Sequence, residues 1–338
     1  MSGSQPPPSR SWLLNLVLLS ATLVLCFAVL EIGVRVLFAR SLDFAMEMWK
    51  YAAQLKQPVA DPQLSFAHRP NRSAFLMGVP VQINSRGLRD NEYPEAKPAD
   101  VYRIVLLGDS TTFGWGVPLE QTVAKILERE LNRTSLPPYR RFEVLNAGVG
   151  NYNTVQEVAH YQTYDRLFHP DLVVLEYFIN DAEPVPKERH PWLLGRSYLL
   201  AFAMSRYQTL LQFAGLRPRW DTYYAGLYRE DQPGFRAAKD ALSRLNSFTK
   251  QDGAKLLAAI LPELHQINDI YPFAAQHEKI KAVLASEDVP VIELIDGLRG
   301  HGPESTLWVT PEDPHPNGKA NALITRQIAA WVLEHAVR

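Results

Sequence analysis

From residue 102 onward the chain alternates short apolar runs with longer segments of helical period. Residues 103–107, 142–145, 172–177, 255–261 and 289–294 are runs of aliphatic and β-branched side chains of strand length, and they read as buried strands. Residues 121–132, 154–168, 235–250, 273–285 and 318–336 carry helical patterning between and after them. Strand and helix in alternation predict an α/β fold with three layers, α/β/α, in which a mainly parallel five-stranded sheet is covered on both faces.

A run of another kind stands ahead of this alternation. Residues 12–30 are uncharged and apolar, long enough to cross about 30 Å of hydrocarbon as a helix, and Glu31, Arg35 and Arg40 close the run. A cleaved signal peptide or a buried core helix shares this composition. The run is long for a signal segment, however, and no clean Ala-x-Ala site follows it. The pattern therefore predicts an N-terminal tail over 1–11, a transmembrane anchor over 12–40, a linker with a small capping element over 41–100, and an α/β domain over 101–338. In the capping region Val79-Pro80-Val81-Gln82-Ile83-Asn84 alternates like a strand and Ser85-Arg86-Gly87 supplies a turn. Arg35, Arg40 and Lys50 outnumber Arg10 on the opposite flank, which by basic-residue count favours a cytoplasmic domain. A short tail before a single span favours the reverse, and a single-pass protein with an extracytoplasmic domain is the expectation.

Residues 183–232 break the alternation. Within them 192–216 is rich in Leu, Phe, Ala and Tyr but interrupted by Arg196 and Arg206, so one or two amphipathic helices are expected rather than a second span. They would form a flap packed on the domain, a lid over a site, or a surface resting on the bilayer.

Composition acts mainly by exclusion. A formal net charge of −1 over 338 residues, with no basic run interleaved with aromatics, argues against a nucleic-acid partner. Cys26 is the only cysteine, so there is no disulfide framework, and Leu23-Val24-Leu25 before it lack the small residues of a lipoprotein signal. His265, His277 and His301 are scattered without ligand spacing, so neither a metal nor a cofactor is expected. Protein partners are not legible.

The candidate chemistry begins where the first strand runs into Gly108-Asp109-Ser110-Thr111-Thr112. That places Ser110 at the C-terminal end of a buried parallel strand, where open α/β sheets keep their ligands. Gly-Asp-Ser is also ordinary turn chemistry, so its company matters. Asn146-Ala147-Gly148-Val149-Gly150-Asn151-Tyr152-Asn153-Thr154, Phe178-Ile179-Asn180-Asp181 and Asp313-Pro314-His315-Pro316-Asn317 follow in order. The four ordered blocks resemble the SGNH (GDSL-type) hydrolase family over roughly residues 81–338. Ile83-Asn84-Ser85-Arg86-Gly87-Leu88-Arg89 is similar to a segment of its membrane-bound bacterial members. Two rival motifs fail: 108–112 lacks the second glycine of Gly-x-Ser-x-Gly, and 148–153 lacks the third glycine of a dinucleotide loop.

The resemblance implies a flavodoxin-like strand order, 2-1-3-4-5, and a serine mechanism. An alcohol is a weak nucleophile, so Ser110 needs a base and the base an orienting carboxylate. His315 is the implied base. Many family members carry the acid three residues before the histidine, where Glu312 stands here; related membrane-bound acetylation proteins accept a spacing of two, so Asp313 is expected and Glu312 is the alternative. The implied oxyanion donors are the backbone N–H of Ser110, a backbone N–H of Gly150 or Asn151, and the side-chain amide of Asn180. Asn151 then stands where the family has glycine. Asp109 and Asp181 are expected to brace neighbouring loops. The function implied is a membrane-anchored serine esterase acting on an O-acyl, expected acetyl, ester of a carbohydrate or small molecule. An O-acyltransferase of exopolysaccharide or cell-wall assembly is the alternative with the same machinery, and a catalytically silent binding subunit is the alternative from another class.

Overall fold

The computed structural model describes residues 11–134, 136–186 and 195–336. Numbered within the central sheet, the strands are β1 (Val101–Leu107), β2 (Arg141–Asn146), β3 (Leu172–Tyr177), β4 (Lys255–Ile260) and β5 (Val291–Glu293). All pair in parallel, in the order β2-β1-β3-β4-β5. Every residue of β1 and β3 is buried, as a strand covered on both faces requires. Helices Val123–Leu131 and Gly318–Trp331 pack against each other, as do Thr154–Thr163 and Pro233–Asp252, which completes the three layers. The chain leaves β1 for β2 and then crosses back to β3. The strand order reverses there, and in open α/β sheets ligands bind beyond the C-terminal strand ends at such a switch point.

The N-terminal apolar run is one helix, Ser11–Leu37, and its stretch Trp12–Leu37 is long and apolar enough to cross a membrane. Residues 41–100 hold the expected strand, as Val79–Ile83, but the part ahead of it read as a linker is folded. Phe44–Leu55 is a helix capped by Asp43, whose Oδ1 accepts from the Met46 N–H at 3.0 Å. Two hairpins follow: Lys56–Pro58 pairs with Phe66–His68, and Arg72–Leu76 pairs with Val79–Ile83. The helix was masked in the sequence because its buried face carries charge: Glu47 and Lys50 are both buried, 2.7 Å apart, and Glu47 Oε2 also accepts from the Met77 N–H at 2.8 Å. Such a pair interrupts the apolar stripe that marks an amphipathic helix.

Within the insertion, helix Tyr198–Phe213 packs on the N-terminal helix and on Phe44–Leu55, and a second helix, Trp220–Leu227, follows. Residues 187–194 of the insertion, 1–10 of the tail, Ser135 and the last two residues lie outside the described residues.

Candidate active site

At the end of β1 a Cβ on Gly108 would lie 2.0 Å from Thr112 Oγ1, so only glycine lets the chain turn this tightly into the short helix Ser110–Phe113. Asp109 caps that helix, its Oδ1 accepting from the Thr111 N–H at 2.8 Å and from Thr111 Oγ1 at 2.9 Å. At the other end the buried Arg89 donates to the carbonyls of Phe113, Gly114 and Val117 at 3.0, 2.5 and 2.6 Å. The Asn-Ser-Arg-Gly-Leu-Arg segment therefore fixes the back of the helix that carries Ser110.

Ser110 Oγ lies 2.9 Å from His315 Nε2. His315 stands on a small antiparallel ribbon, Trp308–Thr310 paired with Asp313–Pro316, that the sequence reading lacked. Asp313 Oδ1 is 2.5 Å from His315 Nδ1 and also accepts the His315 backbone N–H at 3.2 Å, while Oδ2 accepts Trp115 Nε1–H at 2.9 Å. With Nδ1–H donated to a carboxylate, the lone pair of Nε2 faces the serine hydroxyl, which is the tautomer a general base needs. Burial acts to raise the Asp313 carboxyl, but the hydrogen bonds and charge of His315 and the Trp115 N–H outweigh it and hold it below its ordinary value. Glu312 is exposed and has no hydrogen bond or ion pair among the described residues. Asp313 is the acid in contact with the ring.

Asn180 comes from the 3-10 turn Ile179–Ala182 that follows β3. Asp181 closes the turn, Oδ2 accepting from the Phe178 N–H at 2.8 Å, and Asn180 Nδ2 donates to Asp109 Oδ2 at 2.8 Å. One amide hydrogen is used in that bond and the other remains for a ligand. The serine, the asparagine, the histidine and its acid thus converge from three separated blocks on the C-terminal edge of the sheet.

The chain resembles the SGNH hydrolases. No family model matches it, and no curated protein matches it in sequence. Among solved structures it is similar to TesA, at 17% identity and a TM-score of 0.44 over 70% of this chain and 99% of that one. A catalytic mutant of the acetylxylan esterase Axe2 from Geobacillus stearothermophilus aligns at 13% identity and a TM-score of 0.44 over 70% of this chain and 96% of its own. The lipase/acylhydrolase from Enterococcus faecalis aligns at 15% and 0.42, over 68% of this chain and 96% of its own.

In this SGNH-like site the loop after β2 lies against the serine helix. A Cβ on Gly148 would be 2.2 Å from the Phe113 nitrogen, so glycine permits the close approach. The loop also separates the two candidate backbone donors. The Gly150 N–H donates to Tyr51 Oη at 2.9 Å; Tyr51 Oη is 2.6 Å from His68 Nε2, and His68 Nδ1 is 2.9 Å from the Gly87 carbonyl. A carbonyl only accepts, so Nδ1 carries the hydrogen and Tyr51 O–H donates to Nε2. Burial drives the His68 pKa down to about 3, which keeps the ring neutral and the chain of bonds consistent. Gly150 therefore spends its N–H on Tyr51 and is withdrawn as an oxyanion donor. The Asn151 N–H has no hydrogen bond among the described residues. Asn151 has φ 65°, a left-handed conformation that glycine adopts freely and asparagine tolerates.

Behind the site lies a layer of buried carboxylates. Thr112 Oγ1 donates to Glu176 Oε2 at 2.5 Å, and burial pushes Glu176 up to about 7. Burial, with the negative charges of neighbouring carboxylates, raises Glu157 and Asp181 well above their ordinary values. Among the described residues no cluster of His, Cys, Asp and Glu could hold a metal ion.

Sequence reasoning missed the aromatic wall. Trp115 braces Asp313, and the Phe44 ring lies 5.7 Å from that of His315 and 6.1 Å from that of Trp115. It also missed Tyr51, His68 and Lys56, which hold the loop after β2. Trp115 follows Ser110 closely enough to be suspected of lining the site; for the others no spacing connects them to their partners.

Proposed function

We propose that the chain is a membrane-anchored serine esterase of SGNH type that hydrolyses an O-acyl ester, most simply an acetyl ester, of a carbohydrate or small molecule. The observation that carries this reading is the relay from Ser110 Oγ to His315 Nε2 and from Nδ1 to Asp313, at 2.9 and 2.5 Å. Ser110 Oγ attacks the acyl carbonyl as His315 Nε2 takes its proton, and Asp313 stabilises the imidazolium. The oxyanion is met by the N–H groups of Ser110 and Asn151 and by the Asn180 amide. His315 returns its proton to the departing alkoxide, leaving an acyl-serine. A water, deprotonated by His315, then attacks the acyl-serine, and His315 returns that proton to Ser110 Oγ as the acid leaves. If a sugar hydroxyl takes the place of that water, the same residues transfer the acyl group instead.

Retention of the N-terminal helix as an anchor is supported by its ties to the folded domain. Glu31 accepts from Ser197 Oγ and from the Tyr198 and Leu199 N–H groups at 2.8, 3.0 and 2.9 Å, and Arg35 donates to the Arg196 carbonyl at 3.0 Å. A removable leader has no use for such contacts. With export as expected, the domain faces an extracytoplasmic space where acylated glycans are met. The test is a panel of acyl esters assayed with and without glycan acceptors. Release of free acid at a rate indifferent to acceptor supports the esterase; acyl transfer that displaces hydrolysis supports the transferase; no turnover and no reaction of Ser110 with a fluorophosphonate removes both.

A further inference from the structure

The peptide bond joining Gly150 to Asn151 is held at one end and free at the other. Its N–H belongs to Asn151 and is the donor left for the oxyanion. Its carbonyl oxygen accepts from Lys56 Nζ at 2.5 Å, and the same Nζ donates to Asn151 Oδ1 at 3.1 Å. Lys56 is only 7% exposed. Among the described residues no carboxylate pairs with it; its Nζ sits instead 4.4 Å from the centre of the Tyr51 ring and 4.2 Å from that of Phe66. Burying an amine without a counter-ion is costly, and burial pushes Lys56 well below its ordinary pKa. The ring faces and the two oxygens favour its protonated form. In either protonation state Nζ keeps a hydrogen for the Gly150 carbonyl.

The neighbouring peptide is fixed as firmly. The Gly150 N–H is held by Tyr51, and a Cβ on Gly150 would lie 2.7 Å from Tyr51 Cε1, so the ring and the loop are fitted to each other. Lys56 and His68 are opposite one another in the hairpin that delivers them, and His68 holds Tyr51. The N-terminal element thus holds the two peptides flanking the Gly150 Cα, the preceding one at its N–H and the Gly150–Asn151 peptide at its carbonyl.

We propose that Lys56 is a positioning residue for the oxyanion hole: by donating to the Gly150 carbonyl it orients and polarises the Gly150–Asn151 peptide, which strengthens the Asn151 N–H as a donor to the developing oxyanion. A hydrogen bond accepted at a peptide oxygen strengthens the donor at the nitrogen of the same peptide, and the effect grows in a dry site. The proposal rests on the esterase reading above and adds a residue that touches neither substrate nor Ser110.

The experiment uses the full-length protein in detergent, with reactive Ser110 counted by fluorophosphonate titration so that kcat refers to competent sites. Lys56→Met, which keeps the apolar stem, should lower kcat on the order of 10-fold, less than loss of a whole oxyanion donor. KM should stay nearly unchanged, and a boronic-acid transition-state mimic should weaken by the same factor as kcat. Lys56→Gln, which keeps a neutral donor, should fall between; it also carries the test if Lys56→Met does not fold. A purely structural lysine would lower the melting temperature and the count of competent sites while leaving kcat per site and the boronate affinity at wild-type levels, and that outcome overturns the proposal. If the wild-type protein neither turns over esters nor reacts at Ser110, the esterase reading itself falls. An active wild type with an equally active Lys56→Met sinks only the role of Lys56.

Discussion

The α/β domain and the N-terminal element that precedes it make opposite contributions to one site. The proposed reacting groups all come from connecting segments of the domain: Ser110 from the short helix after β1, Asn151 from the loop after β2, Asn180 from the turn after β3, and Asp313 with His315 from the ribbon near the end of the chain. The N-terminal element, over Phe44 to Asp90, contributes none of them, yet it holds the backbone of two of those loops and walls a third. Arg89 grips the carbonyls behind the serine helix, Tyr51 and Lys56 grip the Gly150 peptides, and Phe44 stands against His315. Asp90 belongs to the same set: its Oδ2 accepts the Asn146 N–H at 2.7 Å where β2 ends, and its other oxygen pairs with buried Lys125. Loops at the open edge of the parallel sheet are therefore not self-supporting here. Their buried polar backbone is satisfied by a segment with no share in the sheet.

The largest effects are expected at the reacting residues. Ser110→Ala and His315→Ala should each remove nearly all turnover, and the double variant should be scarcely worse, because parts of one catalytic unit are strongly non-additive. Steady-state rates on a common ester decide this; a double variant that is worse by the product of the two single losses would separate the pair. Asn180→Ala should lower kcat on the order of 10²- to 10³-fold with little change in KM. If it lost only thermal stability while titrated sites kept full kcat, Asn180 would be a brace like the N-terminal residues.

The bracing side should answer differently. Arg89→Met leaves three carbonyls behind the serine helix without their donor and should cost about 3 kcal/mol of stability in denaturant unfolding. The rate per titrated site should change far less than with Asn180→Ala. Acid stability should respond through His68 as well. His68 takes up a proton near pH 6.5 when unfolded but only near pH 3 when folded, because of burial. Between those values the unfolded state binds more protons, so stability contributed by neutral His68 is full above pH 6.5 and falls as the pH drops, by at most about 1.4 kcal/mol per unit. Melting temperatures of wild type and His68→Gln across that window should converge toward low pH.

The sheet was legible in the sequence because a strand buried on both faces must be a short apolar run, and 172–177 matches Leu172–Tyr177 residue for residue. The four blocks were legible through their resemblance to the SGNH family, and the structure shows why two of their glycines are needed, since a Cβ on Gly108 or Gly148 would meet neighbouring atoms at 2.0 and 2.2 Å. The bracing was not. Periodicity tells which side of Phe44–Leu55 is buried only if that side is apolar, and Glu47, Lys50 and Tyr51 are polar and fully or nearly buried. Nor does spacing reveal that Lys56 reaches Gly150. Such pairings are set by how the N-terminal element docks, which no local pattern encodes.

The proposed mechanism requires an acyl group carried on Ser110. Full-length protein mixed with an activated acetyl ester and quenched in acid within a turnover should yield, by peptide mass spectrometry, one added acetyl group on the peptide bearing Ser110, and none in Ser110→Ala. Full turnover with the acetyl group on another residue, or on none, would rule out Ser110 as the acyl carrier.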